Sequence, residues 1–175
     1  MKKIIIFYAS YGGGHLSAAK SIESYLKNNF NNLEVELIDC MKYINKTIER
    51  VSTTAYREIA KKAPWAWGKI YFDSQKGPLA HISTKANRVM AIKLLRLLRK
   101  EKPDLIISSG AAVAVPFFYI GKLMGAKLIY IEVFDRIDKP TLTGKLVYPI
   151  ADKFIVQWEE AKKVYPKAIN FGSIF

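Results

Sequence analysis

The chain has 175 residues, of which half are hydrophobic and a quarter are charged, with 10 glycines and 7 prolines. This composition predicts a normally packed core and excludes disordered, collagen-like and low-complexity proteins. The 28 lysines and arginines against 15 acidic residues give a net charge of +13, which indicates an anionic partner. A lone cysteine, Cys40, excludes a disulfide framework and a cysteine-based zinc site.

The first 40 residues predict a strand, a turn, a helix and a second strand. Residues 3–9 are a continuous apolar run, typical of a strand buried on both faces. Three glycines interrupt this run, and residues 15–30 then carry apolar side chains at helical spacing. Residues 33–39 alternate between apolar and acidic side chains, which predicts the second strand.

The middle of the chain predicts two amphipathic helices. Apolar residues from Met41 onward define one face of a helix that ends before Pro64. Residues 65–82 show no clear period, and residues 85–102 predict another helix, which Pro103 stops.

The remaining residues alternate between strands and helices. Strands are predicted at 104–109, 127–133, 153–158 and 167–171, helices at 111–124 and 159–164, and a long polar loop at 134–144. Such alternation with short connections predicts an α/β, Rossmann-like fold with a mostly parallel sheet and helices on both faces. We expect residues 1–175 to form a single domain. The start shows no signal-peptide pattern, and no apolar run reaches the roughly 20 residues of a membrane span.

The positive charge is concentrated in one segment. Residues 41–102 carry 15 basic and 4 acidic side chains, a net charge of +11, together with several aromatic residues. We expect this basic aromatic segment to face an anionic membrane surface, although apolar helical faces commonly pack into a core instead. Three basic residues at spacing i, i+4, i+8 line one helix face, and two tryptophans suit the headgroup level. These predicted membrane contacts are Lys42, Lys46, Arg50, Trp65 and Trp67.

The loop after the first strand carries the first candidate site residues. Ligands of parallel α/β sheets bind at the carboxyl ends of strands, where Gly12, Gly13 and Gly14 let a backbone approach a phosphate or sugar. His15 follows directly and is either a general base or a capping and packing residue. The spacing lacks a dinucleotide fingerprint, although Asp39 lies where a ribose-binding acid would, and is otherwise a polar strand end.

A second group of candidates follows the strand predicted at 127–133. Glu132 and Asp135 are carboxylates expected at the same edge of the sheet as His15. Arg136 beside them suits a phosphate, or pairs with Asp135 or Asp138. The alternative is a solvated loop with local ion pairs.

Two stretches of the chain resemble known families. ASYGGGHLSAA (residues 9–19), with the later APWAWGKIY, is similar to the N-terminal domain of monogalactosyl- and glucosyl-diacylglycerol synthases. Residues 103–175 resemble the membrane-recruiting subunit of the two-part N-acetylglucosaminyltransferase of asparagine-linked glycosylation, and its bacterial polysaccharide-biosynthesis relatives. The blocks SGAAVAVPF, YIE, LTGKL, FIVQW and YPKA occur there in order.

The resemblance implies the N-terminal, acceptor-binding half of an inverting GT-B glycosyltransferase. The subunit would transfer a sugar to a polyprenyl-diphosphate-linked saccharide in glycan or polysaccharide biosynthesis. It would need no metal or cofactor of its own, because a separate donor-binding subunit would bring the UDP-sugar. We expect a cytoplasmic protein, peripherally attached to the inner face of the plasma membrane.

The resemblance, together with the positions of residues at the carboxyl edge of the sheet, predicts roles for individual residues. His15 would be the base that deprotonates the acceptor, with Glu132 as the alternative. Gly12 to Gly14, Asp135 and Arg136 would bind the acceptor or its phosphate. Ile174 and Phe175, at the end of the tail from Tyr165, would dock on the partner subunit, or alternatively would only cover the edge of the sheet.

Two other functions remain open from the sequence. One is the first domain of a diacylglycerol glycosyltransferase, which the glycine-rich loop favours. The other is a non-enzymatic nucleotide- or nucleic-acid-binding protein, in which the basic segment would bind phosphates directly. Against the latter, that segment carries apolar helical faces and tryptophans and has no recognisable nucleic-acid-binding motif. We therefore expect no nucleic-acid partner.

Overall fold

The computed structural model describes residues 1–10, 14–44, 92–110 and 112–173. Six of its strands form one sheet in which every neighbouring pair is parallel. Short 3₁₀ turns occur at Ala112–Ala114 and Glu159–Lys163. The helices and strands in chain order are β1 (Lys2–Tyr8), α1 (Gly14–Asn29), β2 (Leu33–Asp39), α2 (Cys40–Ile44), α3 (residues 92–101), β3 (Leu105–Ser108), α4 (Val115–Leu123), β4 (Lys127–Ile131), α5 (Leu142–Val147), β5 (Lys153–Val156) and β6 (Ile169–Asn170).

The strand order is β2-β1-β3-β4-β5-β6, with β1 in the interior of the sheet. The residues Ile4 to Phe7 of β1 are all buried, as the continuous apolar run predicts for a strand covered on both faces. The chain passes from β1 outward to β2 and then returns to the other side of β1 to form β3. The order therefore reverses between β1 and β3, and the crevice at their carboxyl ends is where such folds bind ligands.

Helices cover both faces of the sheet. On one face, Ala19, Ile22 and Leu26 of α1 pack against a cluster of strand residues that includes Ile4 and Ile6. On the other face, α3, α4 and α5 pack over the rest of the sheet. Their side chains in that core are Leu94, Leu98, Phe117, Phe118 and Val147. The predicted Rossmann-like α/β fold is confirmed.

Three predicted elements differ from the structure. The helix expected over 111–124 begins with a 3₁₀ turn and becomes α-helical at Val115, so Pro116 falls in the first turn, where its missing N–H is not needed. The helix expected over 159–164 is a 3₁₀ turn. The polar loop expected over 134–144 ends early, because α5 begins at Leu142.

The described part of the helix predicted from Met41 is α2 (Cys40–Ile44), and the rest of that prediction lies outside the described residues. Within the described ranges, no helix combines the length and the apolar character that a membrane crossing needs.

Candidate functional site

His15 lies in the first turn of α1, directly above the carboxyl end of β3. Its Nδ1 atom is 3.5 Å from the hydroxyl of Ser109. The imidazole packs on the backbone of Gly110, where an added Cβ would come within 2.8 Å of the ring carbon Cε1. Gly110 also has a φ of +117°, a conformation that side chains disfavour. His15 therefore lies at the carboxyl end of β3, with its imidazole packed against Gly110.

The protonation of His15 follows from this packing. Burial lowers the pKa of the imidazole below its usual value of 6.5, while a hydrogen bond with the Ser109 backbone and the negative charge of Asp135 act in the opposite direction. Since the net effect is a lower pKa, the neutral form dominates at pH 7. A neutral imidazole at this edge is able to accept a proton from a bound hydroxyl group.

Asp135 and Arg136 are exposed on the loop that follows β4. Arg136 Nε and Asp135 Oδ1 are 4.0 Å apart, the outer limit of an ion pair between two exposed groups. Such a pair contributes little stability. The structure brings Asp135 near enough to His15 for its charge to act on the imidazole, so these two predicted residues share one edge.

Glu132 is at the same edge but lies inside the protein, with 1% of its surface exposed. Its carboxylate accepts hydrogen bonds from the hydroxyls of Thr141 and Tyr165 and from the backbone N–H of Val133. The side chain that the sequence offered as an alternative base therefore lies beneath the loop that carries Asp135.

Asp39, at the end of β2, caps α2 by accepting a 3.0 Å hydrogen bond from the Met41 N–H. Its second oxygen, Oδ2, is buried and has no hydrogen-bond partner among the described residues. The next residue, Cys40, is buried as well, and burial raises the pKa of its thiol. Asp39 thus has the ordinary role of a polar strand end and helix cap.

The remaining predicted site residues are only partly covered by the structure. Gly14 begins α1, and an added Cβ there would meet nothing within 4 Å. Lys42 is exposed. No group of three metal-ligating side chains occurs among the residues that the structure describes. The predicted residues that lie outside those ranges are Gly12, Gly13, Lys46, Arg50, Trp65, Trp67, Ile174 and Phe175.

The sequence interpretation did not single out Ser109 and Gly110 as site residues, nor Thr141 and Tyr165 as partners of Glu132. A signal for the first pair was present, because Ser109 and Gly110 directly follow a predicted strand and must lie at its carboxyl end. No comparable signal exists for Tyr165, which is 33 residues from Glu132 along the chain.

Comparison with known proteins identifies the family. The model of the family described as "Oligosaccharide biosynthesis protein Alg14 like" matches residues 74–174, more than half of the sequence. The chain belongs to the Alg14-like family. The resemblance noted for residues 103–175 is thereby confirmed.

Individual members of the Alg14-like family align with this chain to different extents. The UDP-N-acetylglucosamine transferase subunit ALG14 of Homo sapiens is 32% identical over 84 residues, 45% of this chain and 39% of the human protein. The Candida albicans subunit is 40% identical over 79 residues, 42% of this chain and 36% of its own length. These alignments therefore span about two-fifths of each relative. The Kluyveromyces lactis subunit aligns over 98% of this chain and 79% of its own length, at 25% identity.

A solved structure shows the same fold. MurG of Acinetobacter baumannii superimposes with a TM-score of 0.58 over 91% of this chain and 43% of the MurG chain, at 14% sequence identity. At this identity the likeness concerns the fold alone. It supports the predicted Rossmann-like, GT-B type of architecture.

Proposed function

We propose that this Alg14-like chain is the acceptor-binding, membrane-docking subunit of a two-subunit inverting glycosyltransferase. The chain binds a polyprenyl-diphosphate-linked saccharide, and N-acetylglucosamine is transferred to this acceptor from UDP-N-acetylglucosamine. A separate subunit binds the donor. The observation that carries this proposal is the family match over residues 74–174, whose relatives are named as transferase subunits. The neutral His15 at the ligand-binding edge of the sheet supports it independently.

The proposed reaction needs one base on the acceptor side. The hydroxyl oxygen of the acceptor attacks the anomeric carbon of the donor sugar, and the bond from that carbon to UDP breaks. The hydroxyl proton passes to a nitrogen of His15, which the lowered pKa keeps unprotonated at neutral pH. Since Nδ1 faces Ser109, Nε2 is the nitrogen that we assign to the acceptor.

His15 suits this role better than Glu132. Both carboxylate oxygens of Glu132 already accept hydrogen bonds from protein groups, and the side chain is buried. A base must reach the hydroxyl of the acceptor within about 3 Å. We assign the binding of the acceptor and its diphosphate to Gly12, Gly13 and Gly14, which precede His15 in the sequence, together with Asp135 and Arg136 on the loop that follows β4.

Membrane docking is assigned to the basic aromatic segment at residues 41–102. In its described part, α3 buries Leu94 and Leu98 in the core and exposes basic side chains on the opposite side. The apolar face of α3 thus serves the core, and its charged face suits an anionic bilayer. Each basic group near such a surface contributes about 1 kcal/mol. The exposed basic residues of α3 are Lys93, Arg96, Arg99 and Lys100. We place the protein on the inner face of the plasma membrane.

The transfer reaction itself tests the proposal. Purified chain, a candidate donor-binding subunit from the same genome, UDP-N-acetylglucosamine and a short-chain polyprenyl-diphosphate-linked sugar are combined, together and with each component omitted. We expect turnover only when both proteins are present. His15→Gln should abolish it without loss of the complex, whereas Lys20→Gln, an exposed change on the same helix, should not. Transfer by the chain alone would contradict the two-subunit arrangement. In a parallel reaction that offers diacylglycerol as well, transfer only to diacylglycerol would contradict the proposed acceptor.

Membrane and partner contacts are tested separately. We expect the chain to sediment with vesicles containing anionic phosphatidylglycerol, less so at high salt, and not with neutral phosphatidylcholine vesicles. Binding that ignores both lipid charge and salt would contradict the electrostatic docking. Deleting residues 171–175 should prevent association with the donor subunit, because Ile174 and Phe175, at the end of the tail from Tyr165, are the assigned docking residues. Phe171 in this tail is 77% exposed. An intact complex after the deletion would contradict that assignment.

A further inference from the structure

A single buried carboxylate joins the two ends of the loop that follows β4. Glu132 lies at the start of this loop and Thr141 lies nine positions further on. The Thr141 hydroxyl is 3.0 Å from Glu132 Oε1 and 3.1 Å from Oε2, and the Tyr165 hydroxyl donates to Oε2 at 2.7 Å. The backbone N–H of Val133 donates to Oε1 at 3.0 Å. We call Glu132, Thr141 and Tyr165 the loop clasp.

Hydrogen bonds and close packing around Tyr165, Thr141 and Gly144 hold the loop clasp in place. Tyr165 is buried, and burial together with the adjacent Glu132 raises the pKa of its phenol, so that it remains a hydrogen-bond donor. Thr141 also caps α5, since its hydroxyl accepts a 2.8 Å hydrogen bond from the Gly144 N–H. An added Cβ on Gly144 would overlap both Glu132 Oε2 and the Tyr165 hydroxyl. The carboxylate is therefore confined to one position by its packing.

The end of β5 holds the first part of the same loop. The side-chain amide of Gln157 donates a 2.9 Å hydrogen bond to the carbonyl of Glu132, and the indole N–H of Trp158 donates at 2.7 Å to the carbonyl of Phe134. The rings of Phe134 and Trp158 also pack with centroids 5.0 Å apart. Asp135 thus follows directly after a backbone carbonyl that is held in place.

The burial of Glu132 suggests that its role goes beyond stability. A desolvated carboxylate is costly unless hydrogen bonds satisfy it, and an apolar side chain of similar size would fill the same space. Here neutral donors satisfy it, and within the described ranges no lysine or arginine forms an ion pair with it. What this arrangement fixes is the path of the loop between residues 132 and 141.

We propose that Glu132 is a positioning residue, which through the loop clasp fixes the loop that carries Asp135 and Arg136 and thereby keeps Asp135 within reach of His15. The negative charge of Asp135 raises the pKa of His15. Arg136 is the cation that we assign to the acceptor diphosphate. The assigned tasks of Arg136 and His15 rest on the proposed function, whereas the coupling of the clasp to His15 does not. His15 is still the group that accepts the proton in the proposed reaction, and Glu132 acts only by orienting the loop.

The coupling is measured on the full chain without any transfer reaction. The pKa of the His15 imidazole is followed by NMR titration of its Cε1 proton, which His15→Gln identifies. Asp135→Asn removes the negative charge that raises this pKa, so the pKa should fall. Thr141→Val breaks the clasp and should lower the pKa by no more than Asp135→Asn does. Thr141→Ser keeps the hydroxyl and should restore the wild-type value.

The double variant separates loop positioning from a direct effect of the clasp. With Asp135→Asn already present, Thr141→Val should produce no further change in the pKa of His15. An equal fall in both backgrounds, or an unchanged pKa in either single variant, would overturn the proposal. Thermal unfolding verifies the fold of each variant. If Thr141→Val does not fold, Tyr165→Phe or Glu132→Gln, which retain the side-chain shapes, take its place with the same expected results.

This measurement is independent of the proposed transferase activity. A fall of the His15 pKa that disappears in the Asp135→Asn background supports the clasp even if the reconstituted subunits transfer no sugar. Conversely, if the reconstituted subunits are active and Thr141→Val leaves the pKa of His15 unchanged, the proposed function stands and the positioning role of the loop clasp is rejected.

Discussion

The contact between His15 and Gly110 shows how closely the candidate site is packed at the level of single residues. The imidazole occupies the space that a side chain at position 110 would need, and φ at that position is +117°. Gly110 thus combines a positive φ with a close contact to the imidazole of His15. Position 110 therefore admits only glycine as long as His15 keeps its place.

Gly110→Ala should both strain the backbone and displace the imidazole. We expect it to lower the free energy of unfolding by about 2 to 3 kcal/mol and to lower transfer activity, as measured by chemical denaturation and by the reconstituted assay. Gly125→Ala is the matched control, because Gly125 has a φ of +86° but open space around its Cβ. It should cost about 1 kcal/mol and leave activity intact. Equal effects of the two variants would contradict the contact.

The lowered pKa of His15 predicts a pH dependence of transfer. The base is active when unprotonated, so activity should fall only as the pH drops through a pKa below the usual 6.5. Asp135→Asn removes a negative charge that favours the imidazolium, which lowers the pKa further and moves this loss of activity to lower pH. The pH profile of kcat/KM of both proteins measures the effect. A displacement toward higher pH would contradict the assignment of His15.

At the scale of elements, α5 depends on Gly144 as much as on its cap. Gly144 is buried against Glu132 and Tyr165, and a methyl group there would push both away. Gly144→Ala should lower the free energy of unfolding by about 1 to 3 kcal/mol, although alanine favours helices. Gly14→Ala, in α1 with open space around it, should cause no such loss. Denaturation curves compare them, and a stabilised Gly144→Ala variant would contradict the packing at α5.

Sequence patterns predicted the strands and longer helices because their signals are local. The apolar run of β1, the alternation of β2 and the helical spacing of α1 each correspond to an observed element within one residue or so. The sequence did not predict the short helix α5. Its cap Thr141 depends on a hydrogen bond to Glu132, at the other end of the loop, and its sequence contains a glycine. A helix of six residues has too little intrinsic stability to form without tertiary contacts, so its local sequence carries little signal.

For the candidate site, the topology was predictable and the packing was not. His15, Glu132 and Asp135 were expected at one edge, because the carboxyl ends of parallel strands meet there. Which of them is exposed depends on contacts between residues far apart in sequence. Tyr165 covers Glu132 from 33 positions away, and Gly110 supports His15 from the end of another strand. These contacts distinguish the proposed base from the positioning carboxylate.

At the scale of the whole molecule, the proposed reaction is divided between two proteins. His15 lies at the switch point between β1 and β3, the edge at which folds of this type bind their ligands. The basic face of α3 belongs to a segment that carries most of the net charge. We assign the lipid-linked acceptor to this chain and the UDP-sugar to its partner, so the chain alone should recognise only the acceptor.

The most direct test of this account is ligand binding by the full chain, followed on the Cε1 proton signal of His15. A short-chain polyprenyl-diphosphate-linked sugar should shift this signal in a saturable manner, and UDP-N-acetylglucosamine should leave it unchanged. The reverse pattern, in which the UDP-sugar shifts the His15 signal and the lipid-linked sugar does not, would contradict the assignment of this chain to the acceptor side.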